Sequence, residues 1–226
     1  MARRFAYLCA AVGVVLALAC EQEVTPTRPS DSEPPRLVAV LGDSLSVSPS
    51  PDESFAAVLG RRLAAEWPGW TVLNSGVNGD TTSGGLARLN TVLAQRPRVL
   101  ILALGANDGL RGVPTETIET QLASIIERSQ AASVQVLLTG METPPLHGLD
   151  YSIDFHRIYP ALSRRFDVSL VPFLLAGVVG DRDLNQSDLV HPNRDGARRI
   201  AENVWPYLVP LLSPTKALTQ HSLTRP

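Results

Sequence analysis

The sequence predicts an α/β protein, a five-stranded parallel sheet with helices on both faces. Three observations predict it. Short, unbroken apolar runs recur along the chain, as strands buried on both sides require. Segments with apolar residues at helical spacing separate them. Glycine or proline closes most of these segments, where a strand or helix has to stop.

Taken in order, Leu37-Val38-Ala39-Val40-Leu41 reads as a first strand closed by Gly42. A helix over 53–67 follows, its apolar face carrying Phe55, Val58, Leu59 and Leu63, and Pro68-Gly69 stops it. Thr71-Val72-Leu73 is a second strand, followed by a glycine-rich loop over 75–85 and a helix through Leu86, Leu89 and Leu93 that ends before Pro97. Val99 to Leu104 is the most apolar run of the set and ends at Gly105. Residues 114–130 form a helix with Thr115 as its cap and Ile118, Leu122, Ile125 and Ile126 inward. A strand over 134–138, a helix over 153–166, a strand over 168–171 and a helix over 193–208 complete the alternation. In such sheets, ligands bind at the carboxyl ends of the strands.

Composition narrows the function. The chain has 226 residues, long enough for one domain with a sizeable core. Its 20 Lys+Arg against 22 Asp+Glu lack the basic excess that a phosphate backbone demands, so nucleic acid is not expected as a partner. Both cysteines, Cys9 and Cys20, fall at the start, leaving the body without a disulfide, a thiol nucleophile or a thiolate metal site.

The start reads as an address. Arg3 and Arg4 precede an uncharged stretch from Phe5 to Ala19, whose fifteen residues make roughly 23 Å of helix, short of a hydrocarbon core of about 30 Å. Residues 1–19 therefore read as an export signal rather than a membrane span. Two processing routes fit its end: ordinary cleavage after Ala17-Leu18-Ala19, or lipidation of Cys20 as a bacterial lipoprotein, which is the expectation adopted. Residues 20–35, rich in Pro, Ser, Thr and Glu, read as an extended tether, and the tail over 213–226 as flexible. Removing residues 1–19 takes away Arg3 and Arg4 and leaves 18 positive against 22 negative side chains, so charge would not draw the body to anionic lipid.

Four polar segments stand at the predicted strand ends: Gly42-Asp43-Ser44, Gly76-Val77-Asn78-Gly79-Asp80, Gly105-Ala106-Asn107-Asp108 and Asp188-Leu189-Val190-His191. Taken singly each has an ordinary explanation: a turn, an Asx turn at Asn107, a buried histidine at His191, a helix cap at Asp188. Together they fit acyl transfer. A serine such as Ser44 needs a base to take its proton, and His191 is a useful base once Asp188, three residues away, fixes its tautomer. The oxyanion formed at an attacked ester carbonyl needs preorganised donors, and the amides of Ser44 and Gly79 with the Asn107 side chain supply three. At Gly79 no Cβ blocks the approach.

The stretches Leu41-Gly-Asp-Ser-Leu-Ser46, Gly79-Asp-Thr-Thr-Ser-Gly-Gly-Leu86, Leu104-Gly-Ala-Asn-Asp-Gly-Leu-Arg-Gly112 and Asp188-Leu-Val-His-Pro-Asn193 resemble, in order and context, the four blocks of the SGNH (GDSL) hydrolase family. The likeness runs over about 36–212 and points to the bacterial branch of esterases, thioesterases and lysophospholipases. It implies a three-layer α/β/α sandwich of flavodoxin-like type with no metal or organic cofactor; a small-molecule ester is the expected partner and a monomer the expected state. It also implies Ser44 as nucleophile and oxyanion donor, Gly79 and Asn107 as donors, and Asp188 and His191 completing the triad. Ala106 stands where relatives often have glycine, and 47–52 lies where they vary. The α/β-hydrolase elbow Gly-x-Ser-x-Gly is absent.

The pocket wall is expected from residues 45–55, 109–113 and 141–151, the last with Pro144, Pro145 and Leu146, or else a surface loop without substrate contact. Lipid-like or simple aliphatic esters are the expected substrates. A carbohydrate O-acetylesterase and a non-catalytic lipid- or partner-binding lipoprotein are the other readings.

Overall fold

A computed structural model of the chain describes residues 36–213. The export signal, Cys20, the tether and the tail beyond 213 lie outside the described residues. Five strands form one parallel sheet: β1 (Arg36–Gly42), β2 (Trp70–Gly76), β3 (Val99–Ala103), β4 (Gln135–Thr139) and β5 (Ser169–Val171). Their order, β2-β1-β3-β4-β5, is that of flavodoxin-like sheets. The chain moves from β1 to one edge at β2, then crosses back over β1 to β3 and continues outward.

Seven helices are described: α1 (Ser44–Val47), α2 (Phe55–Glu66), α3 (Thr82–Leu93), α4 (Ala106–Arg111), α5 (Thr115–Ala131), α6 (Leu149–Phe166) and α7 (Arg194–Leu212). One face of the sheet carries α2 and α7, packed on each other, and the other carries α3, α5 and α6 in a row. The sandwich therefore has three layers, as the resemblance implied. Strands β1 and β3 lie at its centre, and Val38 to Leu41 and Val99 to Ala103 are fully buried. Each large aliphatic side chain there contributes about 1.5–3 kcal/mol of burial. Among the described residues no helix is long and apolar enough to cross a membrane.

Several elements differ from expectation. The loop after β2 covers only 77–81, because β2 runs on to Gly76 and Thr81 caps α3 through its hydroxyl, which accepts from the Gly84 amide. Gly84 and Gly85 thus belong to α3. Thr115 is not a cap: Pro114 occupies that position without a side-chain bond, and Thr115 opens the helix. Helix α6 begins at Leu149 instead of residue 153. Helix α7 runs to Leu212 through Pro206 and Pro210. Burial of Trp205, Leu208 and Leu212 on the sheet outweighs the amide bonds that those prolines remove.

Register puts the site in place. Gly42 pairs with Gly76 on one side and with Ala103 on the other, so β1, β2 and β3 end level. Residues 43–44, 77–79 and 105–107 therefore leave the sheet side by side. The crevice between β1 and β3, where the chain reverses direction across the sheet, opens between two of them.

Candidate active site

Ser44 is the first residue of α1, directly after β1. The N-terminal turn of that helix is capped by Asp43, whose Oδ1 accepts the Leu45 amide at 2.9 Å. The second Asp43 oxygen accepts the Asn107 side-chain amide at 3.3 Å. Asp43 is fully buried, and that burial lifts its carboxyl from 3.8 to about 6, against the opposing pull of the Leu45 amide, Asn107 and His191, with Asp80 adding to the rise.

His191 Nε2 lies 2.9 Å from Ser44 Oγ, and its Nδ1 lies 2.6 Å from Asp188 Oδ2. The other Asp188 oxygen accepts the amides of Val190 and His191 at 3.0 and 2.9 Å. The bond to the imidazole, and then these amides, hold the Asp188 carboxyl down at about 2, so it stays ionised at any working pH. The tight turn needs Leu189 in the left-handed region, at φ 60°. Flanking bonds hold that strained residue in place: the Leu189 amide donates to Gln186 O at 3.0 Å and the Gln186 amide to His191 O at 2.8 Å. Asp188 does not cap α7, the ordinary explanation open to it. Asn193 does, accepting the amides of Asp195 and Gly196.

Gly79 sits in the 77–81 loop at φ 71°. A Cβ there would meet nothing closer than Arg111 Nη2 at 3.7 Å, so it is the backbone conformation that calls for glycine. Two arginines hold this loop. Arg88 on α3 donates to Asp80 at 2.7 Å and to the carbonyls of Gly42 and Ser75, tying the ends of β1 and β2 to the loop. Arg111, at the end of α4, donates to Gly79 O at 3.0 Å.

The segment carrying Asn107 turns sharply at Gly105, φ 116°, where a Cβ would strike the Tyr159 hydroxyl. Ala106 opens α4 and leaves Asn107 in place. Helix α6 buttresses this segment from behind: Tyr159 donates to Leu104 O at 3.1 Å and Tyr151 to Val113 O at 2.7 Å. Complete burial drives the Tyr159 hydroxyl well above its ordinary pKa, so it remains a donor. Asp108, also buried, accepts the Thr82 amide and hydroxyl at 3.0 and 2.7 Å, locking α4 to the start of α3.

Ser44, Gly79, Asn107 and His191 line one cleft, and the turn that carries Asp188 closes it. The structure thus brings all five candidate residues together. Neither the Ser44 nor the Gly79 amide is spent on a turn or loop bond, which leaves both free to donate. The cleft has two arms that meet at Ser44, Asn107 and His191. One, of about 690 Å³, runs over Val47 to Pro51, Asn78 and Gln186. The other, of about 370 Å³, is walled by Leu45, Leu110, Pro144, Phe173, Leu175 and Val179. The expected wall is partly right: 45, 47–51, 110 and 142–144 contribute, whereas Leu146 stands exposed outside it. Phe173, Leu175, Val179 and Val190 were missed, as they come from an aperiodic loop between β5 and α7. Asp43 and Asp108 lie inside the Gly42–Ser44 and Gly105–Asp108 segments, but only tertiary contacts reveal their roles. Among the described residues no cluster of three or more His, Cys, Asp or Glu side chains is placed to hold a metal ion.

This arrangement matches known proteins. A model of the GDSL-like Lipase/Acylhydrolase family fits residues 40–199. The chain is 42% identical to Esterase TesA of Pseudomonas aeruginosa over 176 residues, covering 76% of this chain and 88% of that protein. It is 38% identical to Thioesterase 1/protease 1/lysophospholipase L1 of Escherichia coli (strain K12), covering 77% and 84%. A crystal structure of TesA superposes with a TM-score of 0.73 at 40% identity, covering 77% of this chain and 98% of that one. With the sheet order, the strand-end residues and these matches in agreement, the chain belongs to the GDSL-like lipase/acylhydrolase (SGNH hydrolase) family of ester-cleaving enzymes.

Proposed function

We propose that this SGNH esterase hydrolyses aliphatic acyl esters through an acyl-enzyme formed on Ser44. The observation that carries the reading is the unbroken line Ser44 Oγ–His191–Asp188, with links of 2.9 and 2.6 Å. His191 Nε2 takes the serine proton as Oγ attacks the acyl carbon, while ionised Asp188 holds the ring and balances the imidazolium. The oxyanion receives hydrogen bonds from the Ser44 and Gly79 amides and from Asn107 Nδ2. His191 then protonates the departing alcohol, and water, deprotonated in turn by His191, releases the acid.

The apolar arm suits the acyl chain and leaves the other arm for the alcohol. Burial there is worth about 0.8 kcal/mol per methylene, roughly fourfold in rate each. Thioesters and lysophospholipids present the same carbonyl, and the likeness to a thioesterase/lysophospholipase of Escherichia coli supports them as further substrates. The test is hydrolysis of p-nitrophenyl esters from acetyl to palmitoyl by the purified protein. The expected result is kcat/KM climbing with chain length until the arm is full. Activity confined to acetyl would instead favour a carbohydrate O-acetylesterase.

The pattern of residues 1–20 supports an exported protein anchored through Cys20. A Cys20→Ser chain that still partitions with membranes would contradict the anchor.

A further inference from the structure

The second arm of the cleft is unusual in what lines it. Its polar side chains are the hydroxyls of Ser48 and Ser50 and the amides of Asn78 and Gln186, with Pro49 and Pro51 as rigid apolar surface between them. Among the described residues, His191 is the only titratable one on its wall. Of the arginines near it, Arg88 and Arg194 are paired with the carboxylates of Asp80 and Glu53, while Arg61 and Arg111 donate to the carbonyls of Asp52 and Gly79 from outside the lining. The side-chain amide of Asn78 and the hydroxyls of Ser48 and Ser50 are bonded to no other described residue. Gln186 spends its nitrogen on Pro192 O at 3.2 Å and keeps its carbonyl oxygen to offer.

From this lining we infer that the alcohol portion of the preferred substrate is an uncharged polyol, a glyceryl or glycosyl group, rather than a phosphorylated head group. The inference rests on the acyl-ester reading above and concerns only the arm that the acyl chain leaves vacant. A phosphate or quaternary ammonium entering here would lose water and meet no Asp, Glu, Lys or Arg on the lining, which is costly. A polyol exchanges water for amide and hydroxyl partners that can both donate and accept, at little net cost. The volume, about 690 Å³, lies within the ~300–1,000 Å³ of small-molecule sites and is open enough for a sugar. The product pair is then a fatty acid and a neutral polyol.

The test holds the acyl chain constant. Purified full-length protein is assayed on 1-octanoylglycerol, octanoylglucose, ethyl octanoate and 1-octanoyl-lysophosphatidylcholine, all at monomeric concentrations. The expected result is a kcat/KM for the polyol esters at least ~5-fold above both of the others, the worth of one net hydrogen bond. In a Ser50→Ala/Asn78→Ala variant the polyol-to-ethyl ratio should fall toward one. That ratio is taken within one enzyme, so any damage to the chemistry or the fold cancels. A polyol-to-ethyl ratio near one in the wild type, or a higher kcat/KM for the phosphocholine ester, would overturn the inference while leaving the esterase reading intact. Absence of turnover on all four would overturn both.

Discussion

The Asn107 side-chain nitrogen lies 3.3 Å from Oδ2 of the buried Asp43. An ionised carboxylate can only accept, so it selects the NH₂ end of the Asn107 amide and takes one of its two hydrogens. The second hydrogen is left for the developing oxyanion. One buried acid thus orients an oxyanion donor that stands 64 residues away in the chain.

Replacing Asp43 with Asn removes that selection while keeping the volume. The expected result is a kcat lowered by about 10- to 100-fold, the worth of a charge-assisted bond, with little change in KM. Stability supplies a second readout. The folded-state pKa is raised from 3.8 to about 6, so the favourable contribution of this group is fully present below 3.8 and is lost as pH rises through 6. The loss amounts to about 3 kcal/mol. Denaturant unfolding at pH 5 and pH 8 spans the upper part of that window, and the fall in stability between them should disappear in Asp43→Asn. An unchanged fall would mean that Asp43 does not titrate as its burial implies.

Asn107→Ala deletes the donor itself. Its cost should be about 10²–10³-fold in kcat, because the bond strengthens only as charge develops on the oxygen. Unchanged turnover on p-nitrophenyl octanoate would remove Asn107 from the oxyanion site.

Acid should silence the enzyme before it unfolds it. His191 must be neutral to take the serine proton, and Asp43 gains a proton near pH 6. The Asp188 carboxyl is depressed to about 2, so the stability it gains from its bonds is present above 3.8 and is lost only as pH falls toward 2. The expected kcat/KM falls as pH drops through about 6, while melts at pH 5 still report folded protein. A rate that is flat from pH 5 to pH 8 would assign the proton transfer to another base.

Much of this was legible in the sequence because buried parallel strands write themselves as unbroken apolar runs. Val38 to Leu41 and Val99 to Leu104 are such runs, and the polar residues that follow them could only lie at the sheet's edge. What escaped was either too short or too distant. Helices α1 and α4, of 4 and 6 residues, span too little chain to show a period. The α6 start and the α7 end moved because burial of tertiary neighbours overrides local breakers. Arg88 reads as an ordinary surface residue of α3 until its guanidinium is seen on the carbonyls of Gly42 and Ser75. The apolar arm draws on Phe173, Leu175 and Val179, in a loop without periodicity, where nothing in the spacing marks a side chain as lining.

Whether Ser44 carries the acyl group is decided by comparing wild type with Ser44→Ala on p-nitrophenyl octanoate. The expected kcat is lower by about 10⁴–10⁶-fold in the variant, with melting unchanged. A quenched wild-type reaction should carry an octanoyl group on the peptide containing Ser44. A Ser44→Ala protein within about tenfold of wild-type turnover would contradict Ser44 as the acyl carrier, since residual catalysis from the oxyanion donors alone lies far lower.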